Sequence, residues 1–431
     1  MNVPGRHTVT SKGPSAETAA VTTARTLASW ILTAAVFVLT GCVSSEKETG
    51  ETPPPPKMDI TEEAFAWADS VAGLMTLEEQ AAQLLMPAVF ARTDAATMRQ
   101  ITEYAGEMKI GSLLLLKGDA ESAAVIADTL ETIRDRDSIG AGFIISVDAE
   151  TGLGMRFSDA PMFPWNRNIS PEVQDQTFYD YGREVGREAR LTGINMILGP
   201  VVDVDRNTSM KGVMRMRSLG SDQLRVAELS VAYAAGLESQ GVMSVAKHFP
   251  GHGPTAVDSH RGLPSIVTSR EELDSIDLVP FRRYIANRLS GVMVGHIWAE
   301  ALDTVKRPAS FSPEIIRKLL RKDLGFTGLV VVDAIAMGGA RGYTAADAIE
   351  AGADMIIAPA DTRGALGGIV EAVRRGQISA DDIRDRARRV LFYKYLFHIP
   401  FNSRKSMQVP SDELKERLLE EALPIIDSLK R

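Results

Sequence analysis

The chain has 431 residues and a formal net charge of −8, a length that holds one large domain or two ordinary ones. The acidic balance excludes nucleic acid as the main partner, because binding a phosphate backbone needs a basic face. With Cys42 as its single cysteine, the chain can form neither an intrachain disulfide nor a metal–thiolate cluster.

The first patterned segment is Leu27 to Thr40, LASWILTAAVFVLT, preceded by Arg25. Its 14 residues fall short of the roughly 20 needed to span a bilayer. A basic flank, a short apolar core and small residues at its end read as a secretory signal. The run closes on Leu39-Thr40-Gly41-Cys42, which resembles the lipobox of bacterial lipoproteins. That resemblance implies a signal peptide over residues 1–41, lipidation at Cys42, and a membrane-anchored protein facing the periplasm or the cell exterior. An uncleaved membrane helix is the competing reading. Residues 42–57 are polar and then proline-rich, Pro53 to Pro56, and predict an extended tether. Folded structure is expected from about Met58.

Eight short apolar runs follow: Leu84–Val89, Ser112–Leu116, Phe143–Val147, Asn195–Val204, Val242–Ala246, Val292–Gly295, Leu329–Val332 and Met355–Ala358. Each is nearly continuous in apolar character, as strands buried on both faces of a parallel sheet are. Helical patterns separate them. Thr76-Leu-Glu-Glu79 has the spacing of a capping box, and Ser312–Leu320 and Ala345–Ala351 have helical periodicity. Eight alternations predict an α/β fold, a (β/α)8 TIM-type barrel forming a single catalytic domain over 58–400. An open doubly wound sheet is the alternative, weakened because no G-x-G-x-x-G follows the first strand. Residues 401–431 form a C-terminal extension in which Pro410 to Lys430 reads as one amphipathic helix.

Ionisable residues end several of these runs: Asp148, Asp203, Lys247 with His248, His296 and Asp333. In a (β/α)8 barrel the C-terminal ends of the strands form the active-site face. Asp203 reads as structural, holding Arg217 or a loop amide. His296 reads equally as a rim residue or a satisfied core histidine. Asp333 taken alone reads as a helix N-cap. The densest segment is Lys247 to Pro264, KHFPGHGPTAVDSHRGLP, a long loop by its glycines and prolines. Within it, Asp258 and His260 stand two apart, so the carboxylate can orient the imidazole and raise its basicity. A protonated His260 would then act as a general acid. Metal ligation by His248, His252, His260 and Asp258 competes with this reading. However, the histidines lack the i, i+4 spacing of a helical zinc site, and neither metal nor cofactor is expected.

This loop resembles the signature of glycoside hydrolase family 3, in its β-N-acetylglucosaminidase branch, and the resemblance runs from about Leu74 to Tyr395. Asp148-Ala-Glu-Thr-Gly-Leu-Gly-Met-Arg156-Phe157 is similar to the family's sugar-binding loop. Gly199-Pro-Val-Val-Asp203-Val and Arg217-Ser-Leu-Gly continue the match, and Leu324 to Met337 is similar to the segment bearing the nucleophile. The resemblance implies Asp333 as nucleophile and His260, oriented by Asp258, as acid/base. It implies Asp148, Arg156, Arg217, Lys247 and His248 as sugar-binding residues, and carbohydrate, a terminal β-linked N-acetylglucosaminide, as the partner. Pro254, Leu153-Gly154 and Thr151 depart from what many relatives carry, which bears on loop stiffness and substrate fit. A β-glucosidase-like or phosphorolytic member of the same family, and a non-catalytic sugar-binding lipoprotein, are the other functions compatible with the sequence.

Overall fold

A computed structural model describes residues 62–206, 214–253, 255, 262–400 and 411–431. The signal segment, Cys42, the tether, Met58, Asp258 and His260 lie outside the described residues.

Eight parallel strands form the barrel. The first, β1, comes in two pieces, Leu85–Met86 and Ala88–Ala91, separated by Pro87. The others are β2 (Ser112–Gly118), β3 (Ile144–Val147), β4 (Met196–Ile197), β5 (Met243–Phe249), β6 (Gly291–Val294), β7 (Leu329–Val332) and β8 (Met355–Ile357). Each pairs with the next in chain order, and β1 closes the ring: Leu85 stands opposite Ile356 of β8, and Ala88 opposite Leu114 of β2. Pro87 lacks an N–H, yet its carbonyl accepts from Leu114 at 2.9 Å. The proline thus interrupts the ladder without opening it. Strands β3, β5, β6, β7 and β8 are buried at every residue, which accounts for their largely apolar sequence.

Helices α1 (Glu62–Leu74) and α2 (Leu77–Ala82) precede the barrel. The predicted capping box starts α2: the Glu79 N–H donates to Thr76 Oγ1 (3.2 Å) and the Thr76 N–H to Glu79 Oε2 (2.8 Å). The outer ring comprises α3 (Ala95–Thr102), α4 (Ala120–Arg136), α5 (Asp175–Leu191), α6 (Gln223–Ser239), α7 (Leu278–Ala286), a wide π-type helix over Glu314–Asp323, α8 (Ala345–Ala351) and α9 (Thr362–Arg374). Two helices follow the barrel, α10 (Ala380–Leu396) and α11 (Ser411–Lys430). The latter buries Leu414, Leu418, Ala422, Ile426 and Leu429 in the same apolar cluster as Phe178 and Val185 of α5.

Two expectations need correction. The run Asn195–Val204 is a regular strand only at Met196–Ile197; beyond it the Gly199 and Pro200 carbonyls accept from Val245 and Lys247 of β5 at 2.8 and 3.0 Å, and pairing resumes as a lone bridge between Val201 and Lys247. The Ser312–Leu320 pattern does form a helix, but with i→i+5 bonding over Glu314–Asp323.

Candidate active site

The loop after β3 and the end of β5 build one side of the barrel mouth. Asp148 follows the last residue of β3, and Lys247 and His248 lie inside the C-terminal end of β5. Lys247 Nζ donates to Asp148 Oδ1 and, at 2.7 Å, to Glu150 Oε1. Arg156 pairs with Asp148 Oδ2 from the other side and donates through Nε to the Asp148 carbonyl at 2.9 Å. Glu150 in turn accepts a two-pronged bond from Arg217, at 2.8 and 2.6 Å. Arg217 Nη2 reaches His248 Nε2 at 3.2 Å, and His248 Nδ1 meets Asp203 Oδ2 at 2.7 Å. The result is one ladder of alternating sign, Arg156–Asp148–Lys247–Glu150–Arg217, that continues through His248 to Asp203. It brings together every sugar-binding residue expected from the sequence.

Burial makes this ladder rigid. Lys247 and Glu150 are almost wholly inaccessible, at 3% and 2% side-chain exposure, and buried charges persist only when paired. Burial would raise the Glu150 carboxyl, but Lys247 and Arg217 overcome it and hold the group well below the ordinary carboxylate range. Burial would likewise lower Lys247, but Asp148 and Glu150 outweigh it and its ammonium is held above its ordinary value. Glu150 had no role assigned from sequence. Its signal was indirect: two buried cations, Lys247 and Arg217, need a shared anion.

Asp203 takes the structural role. Its carboxylate accepts the His248 N–H at 3.2 Å and the His252 N–H at 2.6 Å, besides the His248 ring. Arg217, the other candidate partner, goes to Glu150. The glycines of the loop make this approach possible: a Cβ at Gly253 would lie 1.6 Å from the Val204 carbonyl oxygen, and one at Gly251 would lie 2.8 Å from Asp277 Cβ. His252 is nearly buried and its ring faces Thr255 Oγ1. Burial and the neighbouring His248 push its imidazole down to about 4.

Across the mouth, Asp333 follows the last residue of β7. It caps no helix, since α8 begins twelve residues later under a Thr344–Asp347 capping box. Its Oδ1 accepts the Ala334 N–H at 2.8 Å, and among the described residues no hydrogen bond reaches Oδ2. Burial would raise this carboxyl. His296, His248, the Ala334 amide and Lys247 overcome it and hold Asp333 below the ordinary range, so it is ionised at neutral pH. His296 is fully buried. Its Nδ1 meets Ser310 Oγ at 2.7 Å, and its Nε2 donates to the Ala334 carbonyl at 3.1 Å. Its ring lies parallel to Phe311, 5.7 Å away. Burial lowers its basicity. It is therefore a buried histidine with both ring nitrogens engaged, and it fixes the backbone next to Asp333.

The site thus offers an ionised carboxylate with one oxygen unengaged among the described residues, together with a dense set of fixed donors and acceptors at the C-terminal end of a barrel. The family model "Glycosyl hydrolase family 3 N terminal domain" matches residues 76–392. The beta-hexosaminidase A of Pseudoalteromonas piscicida is 31% identical over 284 residues, covering 60% of this chain and 47% of that one. The beta-hexosaminidase of Nitrosomonas eutropha is 33% identical over 263 residues, covering 58% and 73%. The solved structure of a glycoside hydrolase family 3 beta-N-acetylglucosaminidase from Paenibacillus sp. str. FPU-7 superposes with a TM-score of 0.72 at 30% identity, covering 80% of this chain and 69% of that one. The match spans about half the length of the Pseudoalteromonas relative.

Proposed function

The chain belongs to glycosyl hydrolase family 3, and from that premise we propose that it is a retaining β-N-acetylhexosaminidase releasing terminal β-linked N-acetylglucosamine from glycans or peptidoglycan fragments. The observation that carries this reading is Asp333, a carboxylate kept ionised at the end of β7 with one oxygen unengaged among the described residues. Such a group attacks the anomeric carbon and forms a covalent glycosyl-enzyme. His260, oriented by Asp258, gives its proton to the departing oxygen and then takes one from the water that releases the sugar. Asp148, Arg156, Arg217, Lys247 and His248 bind sugar hydroxyls. Their ladder supports this role, because directional recognition of a polyol needs donors and acceptors already fixed in place.

The test is turnover of chromogenic β-N-acetylglucosaminides, run in parallel in phosphate and in a non-coordinating buffer to separate hydrolysis from phosphorolysis. Wild type is expected to turn over, and Asp333→Ala to lose activity while remaining folded by circular dichroism. His260→Ala is expected to slow substrates with poor leaving groups far more than those with good ones. A folded wild type that binds the sugars but cleaves no β-hexosaminide would leave the non-catalytic sugar-binding reading instead.

The location is proposed from the sequence alone. Cys42 ends the only lipobox-like segment, so the protein is read as a lipoprotein tethered through residues 42–57. Cys42→Ser should move it from the membrane to the soluble fraction. Retention by the membrane would point to an uncleaved helix.

A further inference from the structure

Behind the Asp148–Phe157 loop lies a second group of buried polar side chains that the chemistry above does not use. It sits where α5 and α6 pack backbone to backbone. A Cβ at Gly182 would lie 2.0 Å from the Tyr233 carbonyl oxygen, and one at Gly236 would lie 2.1 Å from that of Tyr179. Tyr181 and Glu188 are seven residues apart on α5 and so share its inward face. Tyr233 joins them from α6, its ring centre 4.8 Å from that of Tyr181, which also packs on Phe163 at 4.6 Å. These rings support the loop directly. Tyr181 Oη donates to the Glu150 carbonyl at 3.4 Å, and the Phe163 N–H donates to the Thr151 carbonyl at 2.9 Å.

Glu188 is fully buried, and neither of its carboxyl oxygens has a hydrogen-bond partner among the described residues. The same holds for the hydroxyls of Tyr233, Ser230 and Thr151. The charged groups nearby do not neutralise it. Arg187 is committed to Glu184, at 2.6 and 2.8 Å, and to Glu421 at 3.3 Å, and Glu184 is a like charge one turn away. The Leu153 N–H faces the carboxyl group from the loop side. An isolated buried carboxylate costs far more than its neutral acid, and groups of buried polar atoms lacking protein partners are where internal water binds.

We propose that Glu188 is held as the neutral acid and, with Tyr233 and internal water, forms a buried hydrogen-bonded support that positions the Asp148–Phe157 loop for sugar binding. Glu188 is then a positioning residue, acting through Leu153 and the Glu150 backbone on Asp148, Glu150 and Arg156. Burial, and then the Glu184 charge, push its carboxyl well above the ordinary range, in agreement with the geometry. The effect on sugar binding rests on the function proposed above, whereas the protonation state does not.

Two readouts test it. Infrared difference spectra of wild type against Glu188→Gln at neutral pH should show the loss of one carboxylic-acid carbonyl band, a band that shifts in D2O. Loss of an ionised-carboxylate band instead would overturn the proposal, whatever the protein's activity. In kinetics, Glu188→Gln should keep KM within about twofold, whereas Glu188→Ala should raise KM about tenfold with a smaller change in kcat. A merely structural role would lower the amount of active protein and leave KM unmoved, and a KM for Glu188→Gln as high as that for Glu188→Ala would also sink the idea. If Glu188→Ala fails to fold, the infrared comparison and the KM of Glu188→Gln still decide.

Discussion

Glu150 shows how much a single buried carboxylate controls here. It is the anion shared by Lys247 and Arg217, and its pKa is depressed because those two cations overcome the cost of its burial. A carboxyl group depressed in the folded state contributes stability that is present above its unfolded value, about 4.3, and lost as pH falls through the folded value. Glu150→Gln leaves both cations buried with a neutral partner, so it should destabilise the protein by roughly 3–5 kcal/mol at pH 7. The deficit relative to wild type should shrink only below about pH 4.3, where the unfolded wild-type chain takes up a proton that the folded carboxylate still excludes. Urea denaturation at a series of pH values measures this, and a deficit constant down to pH 3 would mean that the charge is not what Glu150 contributes. The residue also marks a limit of reading the sequence. Asp148, Arg156, Arg217, Lys247, His248 and Asp333 were legible because each stands in a motif or at the end of an apolar run. Glu150 and Glu188 were not, because an acidic residue in a loop or on a helix looks solvated until distant parts of the chain, such as Arg217 and Lys247 for Glu150, fold around it. The unequal readings of Asp203 and His296 have the same origin: both are polar residues at strand ends, and only the contacts made by Asp203 with the His248 and His252 amides and by His296 with Ser310 and Ala334 separate scaffold from chemistry.

At the scale of elements, the barrel was legible because parallel strands are buried on both faces and need apolar residues throughout. All eight apolar runs overlap a strand of the ring. What failed was length and bonding type. Asn195–Val204 is mostly apolar because it is mostly buried, yet only Met196–Ile197 is regular strand, and Gly199 and Pro200 meet β5 through their carbonyls. Burial sets composition, whereas a regular ladder also needs N–H groups, which a proline cannot supply. Pro87 makes the complementary point. It divides β1 into two pieces, each bonded to a different neighbour, so the proline sits at the seam where the ring closes. The i→i+5 bonding of Glu314–Asp323 was not legible either. The residues facing inward, Ile315, Ile316, Leu319 and Leu320, keep the same apolar stripe in either helix type.

Across the whole molecule, buried charge collects at both ends of the barrel and does different work at each. At the C-terminal end the ladder from Arg156 to Asp203 leaves Asp148, Arg156 and Arg217 partly exposed. At the N-terminal end charges are sealed in. Asp354, just before β8, is fully buried and takes Arg321 and Arg389, the latter at 2.5 Å, and in a barrel this end serves stability. Lys394 of α10 is the unusual member. It is fully buried, and its Nζ donates to Gln83 Oε1 at 2.7 Å and to the Gly142 carbonyl at 2.8 Å. These two acceptors lie just ahead of β1 and β3, so one side chain ties α10 to two strand starts. Gly111, just ahead of β2, leaves it room: a Cβ there would lie 2.8 Å from Nζ. Burial pushes the Lys394 ammonium down to about 7. The unfolded chain keeps this lysine protonated to about pH 10.4, so between about 7 and 10.4 the unfolded state holds more protons and stability rises with pH. Below about 7 both states are charged and the full cost of burying the charge is constant. Lys394→Met removes that cost but leaves Gln83 and Gly142 without a donor, which costs about 1–3 kcal/mol per acceptor independent of pH. The difference in unfolding free energy, mutant minus wild type, should therefore move in favour of wild type by about 1.4 kcal/mol per pH unit across that window and be flat below it. Urea unfolding of both proteins at about pH 6, 8 and 9.5 reads that slope. A difference that does not change with pH would mean that Lys394 keeps an ordinary ammonium in the fold, stabilised by more than the two acceptors it touches.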